Sequence, residues 1–140
     1  MAKSNLAIYT QNKRTSTAIC TAAKTTYNDA ANAVLIHTAG ADGDLVRRIT
    51  AVPRATVTAT QLQLYRSTDG GTTLILCGSV LMPAYTMSQT TAVPVTDFGI
   101  NFAQPLGLAP NERLYVGIGV ALAAGIAFTV EAEGFVAGVP

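Results

Sequence analysis

The sequence predicts an all-β fold: a two-sheet sandwich of eight or nine strands with a jelly-roll-like path. Three observations carry this. No segment keeps a 3.6-residue apolar period long enough for a helix. Short β-branched and apolar runs recur between Gly, Pro, Asn and Asp turn signals. Long connections separate some of these runs, which suits a jelly roll better than a meander. The 140 residues suit one domain, 1–140, with residues 1–12 as an extended N-terminal arm.

Taken in order, the expected strands are 5–10, 16–22, 33–38, 45–53, 58–66, 73–82, 92–96, 113–121 and 126–133. The first two flank a polar stretch. Residues 22–33, "AAKTTYNDAANA", contain alanines, but Thr25, Thr26, Asn28 and Asp29 favour a loop. In "TATQLQLYRS" Leu62, Leu64 and Arg66 share one face, and Gln61, Gln63 and Tyr65 share the other. The Leu face is expected in a core, and the Gln face against solvent or a partner. "TLILCGSVLM" is apolar on both faces, as an inner strand covered on both sides would be. Gly78 within it marks a bulge or a close backbone approach. "APNE" is a turn in which Pro110 sets φ. Beyond it Leu114, Val116, Ile118 and Val120 share a face. The opposite face, with Gly117 and Gly119, is small enough for another sheet to press close.

Composition narrows the function. The chain is 49% hydrophobic and only 12% charged, with a net charge of +1, whereas ordinary soluble domains carry about 25% charged residues. Sparse charge favours a subunit of an assembly. No basic run is present, so nucleic acid is not an expected partner. Arg47 and Arg48 are adjacent and, on a strand, point to opposite faces. The N-terminus lacks the apolar core of a signal peptide. A reducing compartment is therefore expected, with Cys20 and Cys77 as small buried thiols and no disulfide. Residues 114–130 carry no charge, but they fall short of the roughly 20 residues a spanning helix needs and contain three glycines. No membrane span is expected.

Chemical motifs are few. "STDGGTT", starting at Ser67, resembles the Asp-box hairpin of sialidase-type propellers, with Leu74 where Trp is usual. Asp69 accepts turn N–H groups there, and Gly70 and Gly71 supply positive φ. The motif builds a hairpin and contains no hydrolytic group. A propeller's several four-stranded blades do not fit in this length. Glu131 and Glu133 share a strand face about 7 Å apart, and read as a solvated face. "GADGD" at 40–44 resembles a calcium loop, but it lacks the other ligands of the cage and reads as a surface turn. His37, the single histidine, reads as a hydrogen-bonded structural imidazole at a strand end. No catalytic residue, metal ligand or cofactor-binding residue is expected.

The stretch "TATQLQLYRSTDGGTTLILCGSVLMPAYTM", followed by "APNERLYVGIGVAL", resembles small proteins of tailed-phage head modules, most of all capsid cement (decoration) proteins. That resemblance implies a β-sandwich or jelly roll on the capsid exterior of a virion, assembled in the bacterial host cytoplasm. Its implied partners are the major capsid protein and further copies of itself, a homodimer being favoured. A head–tail connector or tail subunit and a carbohydrate-binding sandwich are the alternatives. Tyr9, Tyr65, Arg66 and Tyr85 are the candidate protein-contact residues, since Tyr and Arg are favoured in interfaces. Self-association is expected through the last two strands or through the arm "MAKSNLAIYT".

Overall fold

The computed structural model of the chain describes residues 9–27 and 29–136. Nine strands form there: β1 (Tyr9–Cys20), β2 (Val34–Thr38), β3 (Asp44–Pro53), β4 (Thr60–Ser67), β5 (Ile75–Met82), β6 (Thr96–Asp97), β7 (Leu106–Leu108), β8 (Arg113–Ile118) and β9 (Ile126–Val136). One antiparallel sheet runs β1-β9-β3-β6, with β7 also on β3, and the other runs β2-β8-β4-β5. The pairs nest: β1 with β9, β2 with β8, β3 with β6 and β7, β4 with β5. A long hairpin rolled up in this way is a jelly roll. The short β6 and β7 share the free edge of β3 and together fill one strand position. The expected fold class is therefore the observed one.

The core lies between the sheets. Ile126, Phe128 and Val130 of β9, and Val46, Ile49 and Ala51 of β3, face Leu62 and Leu64 of β4 and Leu114, Val116 and Ile118 of β8. Full burial of each large side chain contributes about 1.5–3 kcal/mol.

Several expected boundaries move. The described parts of the expected strands 5–10 and 16–22 belong to one continuous strand, β1, whose polar middle is tolerated because β1 is, among the described residues, a sheet edge with alternate side chains in water. A bulge between Thr10 and Asn12 absorbs the irregularity. Residues 1–8 of the expected arm lie outside the described residues. Residues 9–12 are part of β1, with Tyr9 opposite Val136. Strand 92–96 shrinks to Thr96–Asp97, after Pro94. Strand 113–121 ends at Ile118. The turn at Ala109–Glu112 closes by a Glu112 N–H to Ala109 O bond of 3.0 Å, with Asn111 at φ 61°. Pro at the second turn position and positive φ at the third make it type II.

β5 departs most from expectation. Among the described residues it is an outer strand, paired only with β4, and Ile75 and Leu81 are 63% and 64% exposed. The bulge expected near Gly78 is present: Gly78 pairs with Leu64 and Leu76 with Tyr65, so Cys77 is skipped. A second bulge, at Arg47, also overturns an expectation. Val46 and Ile49 both point into the core, so Arg47 and Arg48 both face outward. Arg47 meets Glu133 at 3.2 Å and Arg48 meets Asp97 at 3.5 Å.

Candidate functional site

Most of the Gln face of β4 is covered by the chain itself, and Gln61 alone of its three residues stays part-exposed. Gln63 and Tyr65 are buried beneath residues of the 22–33 segment. Ala23 bridges to Ile118, and the Lys24 side chain then crosses β8. A Cβ at position 117 would lie 2.7 Å from Lys24 Cδ, so glycine there admits the lysine stem. What presses on the small face of β8 is thus a loop, where a sheet was expected. Lys24 Nζ sits 5.1 Å from the Tyr65 ring centroid and donates to Asp29 O (2.7 Å), Ala31 O (2.8 Å) and Asp29 Oδ1 (3.3 Å). Burial pushes the Tyr65 hydroxyl pKa up to about 12.

A hydrogen-bond chain runs outward from there. Tyr65 Oη donates to Gln63 Oε1 (2.7 Å), Gln63 Nε2 donates to Gln61 Oε1 (3.0 Å), and Tyr27 Oη donates to the same oxygen (2.8 Å). These groups form one wall of a cleft of about 320 Å³ that also includes Thr60 and Gly119.

The four expected contact residues do not form a patch. Tyr65 is fully buried and has no surface to offer. Arg66 is held by a bidentate pair with buried Glu112, at 2.7 and 2.9 Å. That pair raises its pKa above the usual arginine value. Tyr85 is half-buried, bridges the backbone of Val57, and shares a 2.9 Å bond with Thr91 Oγ1. The backbone of Tyr9 belongs to β1 in the other sheet, and its side chain lies outside the described residues. The last two strands, also expected as a contact, offer no free edge among the described residues. β8 and β9 are each paired on both sides, and their apolar residues are the core.

The surface that sequence reasoning missed is β5. Its residues Ile75–Met82 include no charged side chain, and Ile75, Leu76, Cys77 and Leu81 are exposed. Natural edge strands are usually guarded by charge, by proline or by a cover. Beside β5 runs a groove of about 180 Å³ between the sheets, bordered by Leu64, Cys77, Phe98, Ile100 and Leu106. The available signal was the uncharged run 73–82. Two-sided apolar character marks a doubly covered strand or an edge meant for a partner, and the sequence alone does not separate them.

The chain matches no known family model and no curated protein.

The remaining polar clusters are internal. His37 Nε2 lies 2.6 Å from Asp44 Oδ2, and Nδ1 lies 3.0 Å from Ser16 Oγ. Asp44 also accepts the Gly40 N–H at 3.1 Å. Asp44 is thus fully buried, a correction to the surface turn expected for residues 40–44; only Ala41 and Asp42 are exposed there. The order Ser–His–Asp is that of a hydrolytic relay with the ring nitrogens exchanged. However, none of the three residues lines the cleft beside Gln61, the groove beside β5 or the groove beside Glu131. The relay instead ties β1, β2 and β3 together across the sandwich, as the structural reading of His37 requires.

On the outer face of the first sheet, Glu133 pairs with Arg47, whose guanidinium stacks 5.2 Å from the ring of Phe102. Glu131 is exposed beside them, in a groove of about 190 Å³. The cysteines are free and differ from each other. Cys20 is buried, as expected, with its pKa pushed up to about 12 by desolvation, while Cys77 is exposed on the bulge. Among the described residues no group of three or more His, Cys, Asp or Glu side chains is placed to hold a metal, and no helix is long and apolar enough to cross a membrane.

Proposed function

We propose that this chain is a structural, non-enzymatic subunit of a tailed-phage virion that binds the outside of the capsid and cements neighbouring major capsid subunits. The observation that carries the reading is the edge of β5, uncharged and unpaired among the described residues, with its exposed Ile75 and Leu81. A capsid shell fails first at its subunit joints. A rigid sandwich laid across a joint adds an interface of about 800 Å² per partner, and interface centres are depleted of charge in the same way as β5. Many copies acting together strengthen the shell, because losing one subunit means breaking several contacts. On this reading the protein needs no cofactor, is assembled in the host cytoplasm, and self-associates when free.

The test deletes the gene and heats the particles. Loss of the subunit should make heads release DNA at lower temperature, and purified protein should restore them. Leu81→Lys, which charges the edge without touching the core, should fail to restore while keeping the wild-type β circular dichroism spectrum. Particles that resist heat equally well without the protein, or a Leu81→Lys protein that restores them fully, refute the proposal.

A further inference from the structure

We infer that the cleft between Tyr27 and Gln61 is a binding site for a neutral saccharide residue. One amide in this cleft has a fixed direction. Gln61 Oε1 already accepts two hydrogen bonds, from Tyr27 Oη and Gln63 Nε2, which fill its two lone pairs. The amide is therefore fixed with its oxygen toward those donors, and its two N–H groups point the other way. Gln61 Nε2 has no protein partner among the described residues, and Gln61 lines the cleft. The orientation is anchored from below, since Gln63 is itself held by the buried hydroxyl of Tyr65.

The second element is charge. Lys24 borders the cleft, but its ammonium is fully engaged with Asp29 O, Asp29 Oδ1 and Ala31 O. The cation is spent internally, so the cleft does not select an anion. The third element is Tyr27, 48% exposed, with its hydroxyl tied to Gln61 so that the ring is held at the cleft wall. A held aromatic surface takes the C–H face of a sugar at little entropic cost. Thr60 is buried at the cleft's base, where its Oγ1 accepts the Val120 N–H and fixes the backbone there. Fixed amide donors and an aromatic wall without net charge complement a ring of hydroxyl groups. The cleft volume of about 320 Å³ sits at the small end of ligand pockets, the size of one ring rather than a long chain. This inference stands or falls independently of any capsid role.

The experiment uses the whole chain, isotopically labelled, titrated with methyl glycosides of glucose, galactose, mannose and N-acetylglucosamine, and with sialic acid and inorganic phosphate as charged probes. At least one neutral glycoside should shift the backbone amides of Tyr27, Gln61 and Gly119. Tyr27→Ala and Gln61→Ala should each weaken that binding at least about tenfold, the change expected from losing one or two such contacts. Tyr27→Phe keeps the ring but frees the Gln61 amide, and should weaken binding less than Tyr27→Ala. Arg47→Ala, on the opposite sheet, should leave it unchanged. Thermal melts confirm that each variant is folded. Absence of shifts with every neutral glycoside at 50 mM, shifts with the charged probes alone, or binding that survives Tyr27→Ala overturns the inference.

Discussion

Lys24 Nζ lies over the ring of Tyr65 at 5.1 Å from its centroid, and so a buried ammonium lies beside a buried phenol on the outside of a β-sheet. The charge is neutralised by Asp29 and by two carbonyls, all from the segment that the lysine itself anchors. The Lys24 side chain is thus a buried anchor of the loop, beside the Ala23–Ile118 bridge and the Tyr27 and Asn32 bonds.

Lys24→Met keeps the apolar stem over Gly117 and removes the charge. It should destabilise the fold by about 1–3 kcal/mol, the range for unmade hydrogen bonds plus a lost cation–π contact. It should also raise hydrogen exchange in the loop. Urea melts and exchange measurements read both effects. Unchanged stability would mean that the loop holds without its anchor.

Asp44→Ala strips His37 and the Gly40 N–H of their acceptor inside the sandwich. Breaking a buried polar pair from one side costs about 3 kcal/mol or more. Ser16→Ala removes only the outer bond of the relay and should cost about 1 kcal/mol. Denaturant titration of the two variants gives the ordering, and a Ser16→Ala loss equal to that of Asp44→Ala would contradict it.

The hairpin turn has a pH signature. Asp69 Oδ1 accepts the Thr73 N–H at 2.9 Å and the Ser67 hydroxyl at 2.8 Å, and these bonds, the Thr73 backbone bond first, lower its pKa to about 2. A depressed carboxylate contributes stability above its unfolded pKa of about 3.9, and loses that contribution as pH falls toward 2. Asp69→Ala should lower the melting temperature at pH 7, and its gap to wild type should narrow between pH 4 and pH 2. Thermal melts across that range read it; a gap independent of pH would show that the carboxylate is not the group at work. Gly71, at φ 97° and against the Tyr115 hydroxyl, should lose at least about 1 kcal/mol on change to Val.

The thiols give a simple count. In native protein a disulfide reagent should titrate Cys77 alone, and slowly at neutral pH because desolvation raises its pKa. Denaturant should release Cys20 as a second equivalent. Two fast native equivalents would mean that Cys20 is not in the core.

Much of the fold was legible because period-2 alternation and turn chemistry are local. The strand from Arg113, the type II turn before it and the Asp69 hairpin follow from residues a few positions apart. Burial by distant segments was not legible. Tyr65 read as exposed because nothing near it in sequence shows that Lys24 will cover it. β5 read as an inner strand because apolar character records what a surface avoids, and water-facing edges meant for partners avoid the same thing. The Ser16–His37–Asp44 relay was not legible: Asp44 read as part of a surface turn, and Ser16 arrives from β1. The Gln61 cleft was invisible for the same reason: Tyr27 comes to it from 34 residues away.

The nesting of the strands sets an order in time. β9 sits between β1 and β3 in its sheet, so an inner strand of that sheet leaves the ribosome after the other eight described strands. Until residues 126–136 emerge, β1 and β3 have no neighbour to join them, and two exposed edges wait in solution. Such long-range pairings close slowly and leave a nascent chain prone to association. A chain cut short before Ile126 should therefore aggregate instead of folding in part, and the sheet should close in one late, cooperative step.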